Sequence, residues 1–323
     1  MSTPLVNALA CVTVSCSEPA RLIDLLCTVL GWEVAADGGL DVGLEGLWGI
    51  AAGSAGAEFT VLRAPGTTFG MIRVVHGAER RPVRQIGARW SGLEIVVMSD
   101  VDGLHAALDA HHDFDVIKPP HSFDFTQAGS NIHRSFLGRI PGGTHIVFTM
   151  AVTAPKLKGR IFPSAEVRVG QVFAAHLVAT DYPRSFAFYR DTLGMVPFLD
   201  VHLEQGDWHK TWSLPEGAAV DLSILRGGDP TSRQGSVEMQ GYEDRYIDPA
   251  VMVPDRLDGG TCLTTYTAAV DLDVAFAAVA AHDDATILSR PQAMPGAPYD
   301  DARSFAFLGP SGERFEICER FAL

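Results

Sequence analysis

Several features are missing from the 323-residue sequence, and each absence removes a class of function. The five cysteines, Cys11, Cys16, Cys27, Cys262 and Cys318, are odd in number and scattered, with no Cys-x-x-Cys spacing. Neither a disulfide framework nor a thiolate zinc site is indicated. No Lys or Arg precedes Arg21, which removes the charged start of a secretory signal, and no apolar run approaches the ~20 residues that span a bilayer. Basic residues are outnumbered, 25 against 39, and the formal charge of −14 speaks against a nucleic-acid or anionic-membrane surface, which needs a concentrated basic face. No phosphate-cradling glycine loop, nucleophile elbow or His-Glu-x-x-His motif occurs, which argues against kinases, serine hydrolases and zinc proteases. The reading left is a cytoplasmic protein whose partner is a small molecule.

What is present is duplication. Aligning Gly31 with Gly194 superposes RLIDLLCTVLGW on RSFAFYRDTLGM, each preceded by a Pro in the first helical turn, Pro19 or Pro183. Leu22, Leu25, Leu26, Val29 and Leu30 follow the stripe of an amphipathic helix, and Ser17 or Asp181 is expected to cap. A second pair aligns DVDGLHAALDAH from Asp100 with DLDVAFAAVAAH from Asp271, each after an apolar β-branched run and each leading to Arg-Ser-Phe and a closing strand. Four units therefore succeed one another, of types 1, 2, 1 and 2.

Each unit reads as strand, helix, then two or three strands, a βαβββ module that buries one sheet face under its helix and leaves the other curved. The fold class expected is α+β: four such modules paired into two cup-shaped mixed sheets, one cup per half. The halves run 1–150 (modules 1 and 2) and 171–323 (modules 3 and 4), with 151–170 as the linker and Gly235–Gly260 as a long connection that either covers the mouth of the C-terminal cup or packs as a linker.

The residues Asp181, Ser185, Phe188, Tyr189, Leu193 and Gly194, together with the closing PSGERFEI at 310–317, resemble the vicinal oxygen chelate superfamily, which includes glyoxalase I, bleomycin-resistance proteins and extradiol dioxygenases. The resemblance implies a divalent metal (Fe, Mn, Zn or Ni) on the cup floor, chelated by neighbouring substrate oxygens, or, in departures from the pattern, no metal. It implies floor positions at Ala174, Asp221, Thr265 and Glu316 in the C-terminal cup and at Cys11, Arg73, Glu94 and Val147 in the N-terminal one.

From this follow the candidate residues. Glu316, Asp221 and Tyr266 are the catalytic candidates, and His176, Asp221 and Glu316 the metal candidates. His176, Arg73, Glu94, His145 and His209 are the candidates for substrate binding, Arg73 as a bidentate anchor for a carboxylate. The function expected is lyase, isomerase or dioxygenase chemistry on a small aromatic or carbonyl compound in the C-terminal cup. The alternative is a metal-free sequestering protein of the bleomycin-resistance type. The strand edges that pair modules would equally serve a homodimer.

Overall fold

The computed structural model describes residues 3–51, 57–77, 86–87, 89–126, 132–152, 168–204, 214–228, 235–248, 257 and 259–323. Module 1 comprises β1 (Val6–Cys16), α1 (Pro19–Thr28), β2 (Glu33–Gly39), α2 (Val42–Trp48), β3 (Glu58–Arg63) and β4 (Met71–His76). After the short β5 (Ile86–Gly87), module 2 comprises β6 (Arg89–Val97), α3 (Val101–Asp109), β7 (Asp115–Asp124), β8 (Ile132–Arg139) and β9 (His145–Ala151). Module 3 comprises β10 (Val169–Val178), α4 (Tyr182–Ala187) continued by a π-turn, β11 (Val196–Leu203), β12 (Val220–Arg226) and β13 (Ser236–Gly241). The short β14 (Ile247–Asp248) leads to module 4: β15 (Gly260–Ala268), α5 (Leu272–Ala280), β16 (Thr286–Ile287), β17 (Gln292–Ala293), β18 (Arg303–Leu308) and β19 (Arg314–Cys318). No described helix is long and apolar enough to cross a membrane.

The repeat extends to local backbone detail. Leu22, Leu25 and Leu26 of α1 are buried, as their spacing predicts. Gly31 and Gly194 both leave their helices with positive φ, 72° and 68°, a conformation that strains a residue with a Cβ. Asp181, Asp100 and Asp271 cap α4, α3 and α5 by accepting backbone N–H bonds. At α1 the cap position is Glu18 rather than Ser17, and no side chain caps it.

The pairing of modules differs from the expectation of one cup per half. One nine-stranded sheet runs β16-β18-β19-β15-β1-β4-β3-β2, with β17 beside β18, so modules 1 and 4 share it through antiparallel β1 and β15. The eight-stranded sheet runs β11-β12-β13-β10-β6-β9-β8-β7, joining modules 3 and 2 through antiparallel β10 and β6. Both cups are therefore assembled across the two halves of the chain. This arrangement sets Arg73 of module 1 against Glu316 of module 4 and Glu94 of module 2 beside Glu238 of module 3.

The helix-bearing faces of both sheets share one core. It contains Leu22 and Leu25 of α1, Leu104 and Leu108 of α3, Phe188 and Tyr189 of the π-turn, and Ala275 and Val279 of α5. Two equivalent ion pairs clasp this layer within each half: Arg21 with Asp113 beyond α3, and Arg184 with Asp284 beyond α5. The concave faces carry their own clusters, one around Trp48, Tyr299 and Phe321 and one around Val147, Val178, Val220 and Tyr242. Of the expected linker, residues 153–167 lie outside the described residues.

Candidate functional site

Strand alternation decides which side chains reach a cup floor, because in-register neighbours project to the same face. In the sheet of modules 1 and 4, Cys11 lies opposite Thr265 and Thr265 opposite Glu316, with Arg73 on the adjacent strand. Arg73 and Glu316 have no solvent exposure. The guanidinium donates to Tyr299 Oη at 2.7 Å, to Thr13 and Thr265 hydroxyls at 3.1 Å and to Glu316 Oε2 at 3.4 Å. It also stacks over the Trp48 ring, 4.5 Å from the centroid. Glu316 accepts further bonds from Thr265 at 2.8 Å, Ser304 at 2.7 Å and Trp48 Nε1 at 3.3 Å.

This cup is thus filled from within. The helix α2 brings Trp48 over the floor, and Arg73 takes the place a floor cation would occupy. Burial pushes the Cys11 thiol up to about 12, so it offers no thiolate. Arg73 is committed to partners of its own chain and is not an anchor for a substrate carboxylate. The charge of Glu316 is paired with that guanidinium, in a different sheet from Asp221 and His176.

The sheet of modules 2 and 3 has a different floor. Glu94 on β6 lies opposite Ala174 on β10 and Val147 on β9, while His176 on β10 lies opposite Glu238 on β13. Donor atoms of Glu94, His176 and Glu238 lie within 4.8 Å of one another. These side chains are buried but not sealed, with exposures of 9%, 1% and 6%. Burial, reinforced by the negative charge of Glu238, holds the Glu94 carboxyl well above the ordinary carboxylate range, against a hydrogen bond from Thr149. Burial lowers the His176 imidazole below its ordinary value, opposed by Glu238, so it is a neutral nitrogen donor.

The floor is held by short polar chains. Gln240 donates from Nε2 to Glu238 Oε1 at 2.7 Å, and Tyr242 Oη donates to Gln240 Oε1 at 2.9 Å. On the opposite side Thr149 shares a 2.6 Å hydrogen bond with Ser135. Leu137, Val147, Val178, Val220, Tyr242 and Tyr246 form the apolar wall. Phe123, Phe125 and His133 add an aromatic group beyond it, and burial lowers the His133 pKa to about 4.

The donor set fits a divalent cation. Two hard carboxylates and a neutral imidazole from adjacent strands match the ligands that Fe, Mn, Ni and Zn take, and the two buried acids supply the compensating charge. Burial first and the neighbouring Glu238 second raise the Glu94 proton affinity, and a cation between the two acids would relieve both effects.

The remaining candidates distribute as follows. Asp221 lies on β12 opposite Gly241 of β13, one residue out of phase with Glu238 and Gln240, so its side chain is on the other face of the sheet. There it meets His202 at 2.7 Å, both about half exposed. It belongs to a different sheet from Glu316, so the two carboxylates do not converge. Tyr266 is fully buried in the core between the sheets, stacked on Phe315 at 5.0 Å between ring centroids, and faces neither cup. His145 is on the Glu94 side of β9, opposite Gly92. His209 lies outside the described residues.

Glu238 is the residue that sequence reading missed, because 235–260 was read as a connection. Its signal is the period-two run Ser236-Val237-Glu238-Met239-Gln240, in which Val237 and Met239 enter the core. Part of the segment does border the cup, since Tyr246 and Ile247 pack against its wall.

Comparison with known proteins agrees with this architecture. Residues 168–317 match the family model of the Glyoxalase/Bleomycin resistance protein/Dioxygenase superfamily. Among solved structures, a mutant of glyoxalase I from Zea mays is 14% identical with a TM-score of 0.65, covering 97% of this chain and 92% of that one. A putative dioxygenase from Bacillus subtilis subsp. subtilis str. 168 is 13% identical with a TM-score of 0.59, covering 98% and 86%. At these identities the likeness establishes the glyoxalase-like fold across all four modules. A search of curated proteins gave no match.

Proposed function

We propose that the chain is a cation-dependent enzyme that transforms a small aromatic or carbonyl compound on the concave face shared by modules 2 and 3, by lyase, isomerase or dioxygenase chemistry. The observation that carries the reading is the buried convergence of Glu94, His176 and Glu238 from the two modules. A divalent cation held by these three residues would supply Lewis acidity toward neighbouring oxygens of the substrate. The protein's own part is positioning and proton transfer. A Glu94 carboxyl released from the cation would be suited to accept a proton from the substrate, because burial favours its neutral form there. The apolar wall from Leu137 to Tyr246 excludes water and receives the flat, uncharged part of the ligand.

The test is metal analysis of protein purified without chelator, followed by titration with Mn²⁺, Fe²⁺, Ni²⁺ and Zn²⁺. Uptake near one equivalent, lost in E94Q, E238Q and H176A, supports the reading. Uptake below about a tenth of an equivalent by the wild type refutes it. The aromatic group at Phe123, Phe125 and His133 favours a second reading, a protein that sequesters a flat compound. Ligand affinity that survives E94Q and E238Q, with no turnover in the wild type, selects that one.

A further inference from the structure

We propose that Gln240 and Tyr242 are positioning residues that hold Glu238 in the orientation needed to bind a cation; this inference rests on the cation-site reading above. Three observations carry it. Glu238, Gln240 and Tyr242 alternate along β13 and its extension, so all three lie on the concave face, joined by the 2.7 Å and 2.9 Å hydrogen bonds. Gln240 is fully buried, and its amide has only one arrangement compatible with both neighbours: a carboxylate accepts, so Nε2 faces Glu238, and Oε1 takes the tyrosine proton. Third, the donor atoms of Glu238, Glu94 and His176 lie within 4.8 Å of one another, so the orientation of the Glu238 carboxylate decides whether the three converge.

The character of the restraint separates this cup from the other. Glu316 is held by a guanidinium, which cancels its charge. Glu238 is held by an amide that is itself held by a phenol, and Glu94 by a threonine, neutral donors that fix geometry without supplying a counter-ion. Neutral donors behind charged ligands are what a site must have if it is to stay preorganised and still attract a cation.

The experiment is Mn²⁺ binding by full-length protein, measured by calorimetry and by the electron paramagnetic resonance of free and bound Mn²⁺. Gln240→Leu should weaken affinity by about 10- to 100-fold and alter the bound spectrum. Tyr242→Phe, which keeps the ring in the wall and loses only the hydroxyl, should weaken it about three- to tenfold, the worth of one hydrogen bond. Tyr182→Phe, in α4 with its hydroxyl bonded to Ser223 on the opposite face of the sheet, should leave affinity unchanged. Wild-type binding with unaltered affinity and spectrum in Tyr242→Phe overturns the positioning role, and that variant decides the matter if Gln240→Leu does not fold. A wild type that takes up none of the four cations overturns the site reading and this inference with it.

Discussion

Replacing Arg73 with methionine keeps most of the side-chain volume on the floor of the sealed cup and deletes the charge. The loss comprises the hydrogen bonds to Tyr299, Thr13 and Thr265, the 3.4 Å contact with Glu316 and the stacking on Trp48. Glu316 retains its bonds from Thr265, Ser304 and Trp48 but becomes a buried charge without a counter-ion. Breaking one side of such a pair costs about 3–5 kcal/mol. With an unfolding entropy of ~2.1 cal/mol/K per residue, the 323-residue chain loses ~0.7 kcal/mol per kelvin near its midpoint, so 4 kcal/mol lowers the melting temperature by about 6 °C. The assay is thermal and urea unfolding of R73M, E316Q and the double variant. E316Q in the R73M background should recover about 2 kcal/mol, because the orphaned charge is gone while the hydrogen-bonding shape stays. A melting temperature for R73M within about 1 °C of wild type, or strictly additive costs in the double variant, would refute the assignment of Arg73 as the built-in cation of that cup.

Three further outcomes are expected. Glu313, buried under Tyr189 Oη at 2.7 Å and the Ser311 N–H at 2.9 Å, has its pKa pushed up to about 7, chiefly by burial. Its folded value lies above the unfolded one, so its contribution is full below pH 4.5 and is lost as pH rises to about 7; wild type should lose about 3 kcal/mol relative to E313Q between pH 4.5 and 7.5, read by urea unfolding at each pH. Cation affinity at the Glu94–His176–Glu238 site should fall as pH is lowered through the raised Glu94 pKa, approaching about tenfold per pH unit below it, since the proton and the cation compete for one carboxylate; calorimetric titration over a pH series checks the direction and slope. Asp221→Asn should change stability by less than about 1 kcal/mol and leave cation affinity untouched, because its pair with His202 is half exposed and lies on the far side of the sheet.

The module, its helix and its internal duplication are local matters, and the sequence carried them: the stripe of Leu22, Leu25 and Leu26, the aligned Gly31 and Gly194, and the capping Asp181 are set by residues close along the chain. So was the presence of acids and a histidine on otherwise apolar strands, at Glu94, His176 and Glu316. Which module pairs with which was not legible, because all four present similar strand edges. The choice lies in the β1–β15 and β10–β6 ladders, which join residues far apart in the chain. That choice paired Glu316 with the Arg73 guanidinium, and it brought Glu94 to His176 and Glu238. Asp221 failed for a smaller reason of the same kind: a strand side chain changes face with every residue, so one added strand, β13, transferred the floor position to Glu238.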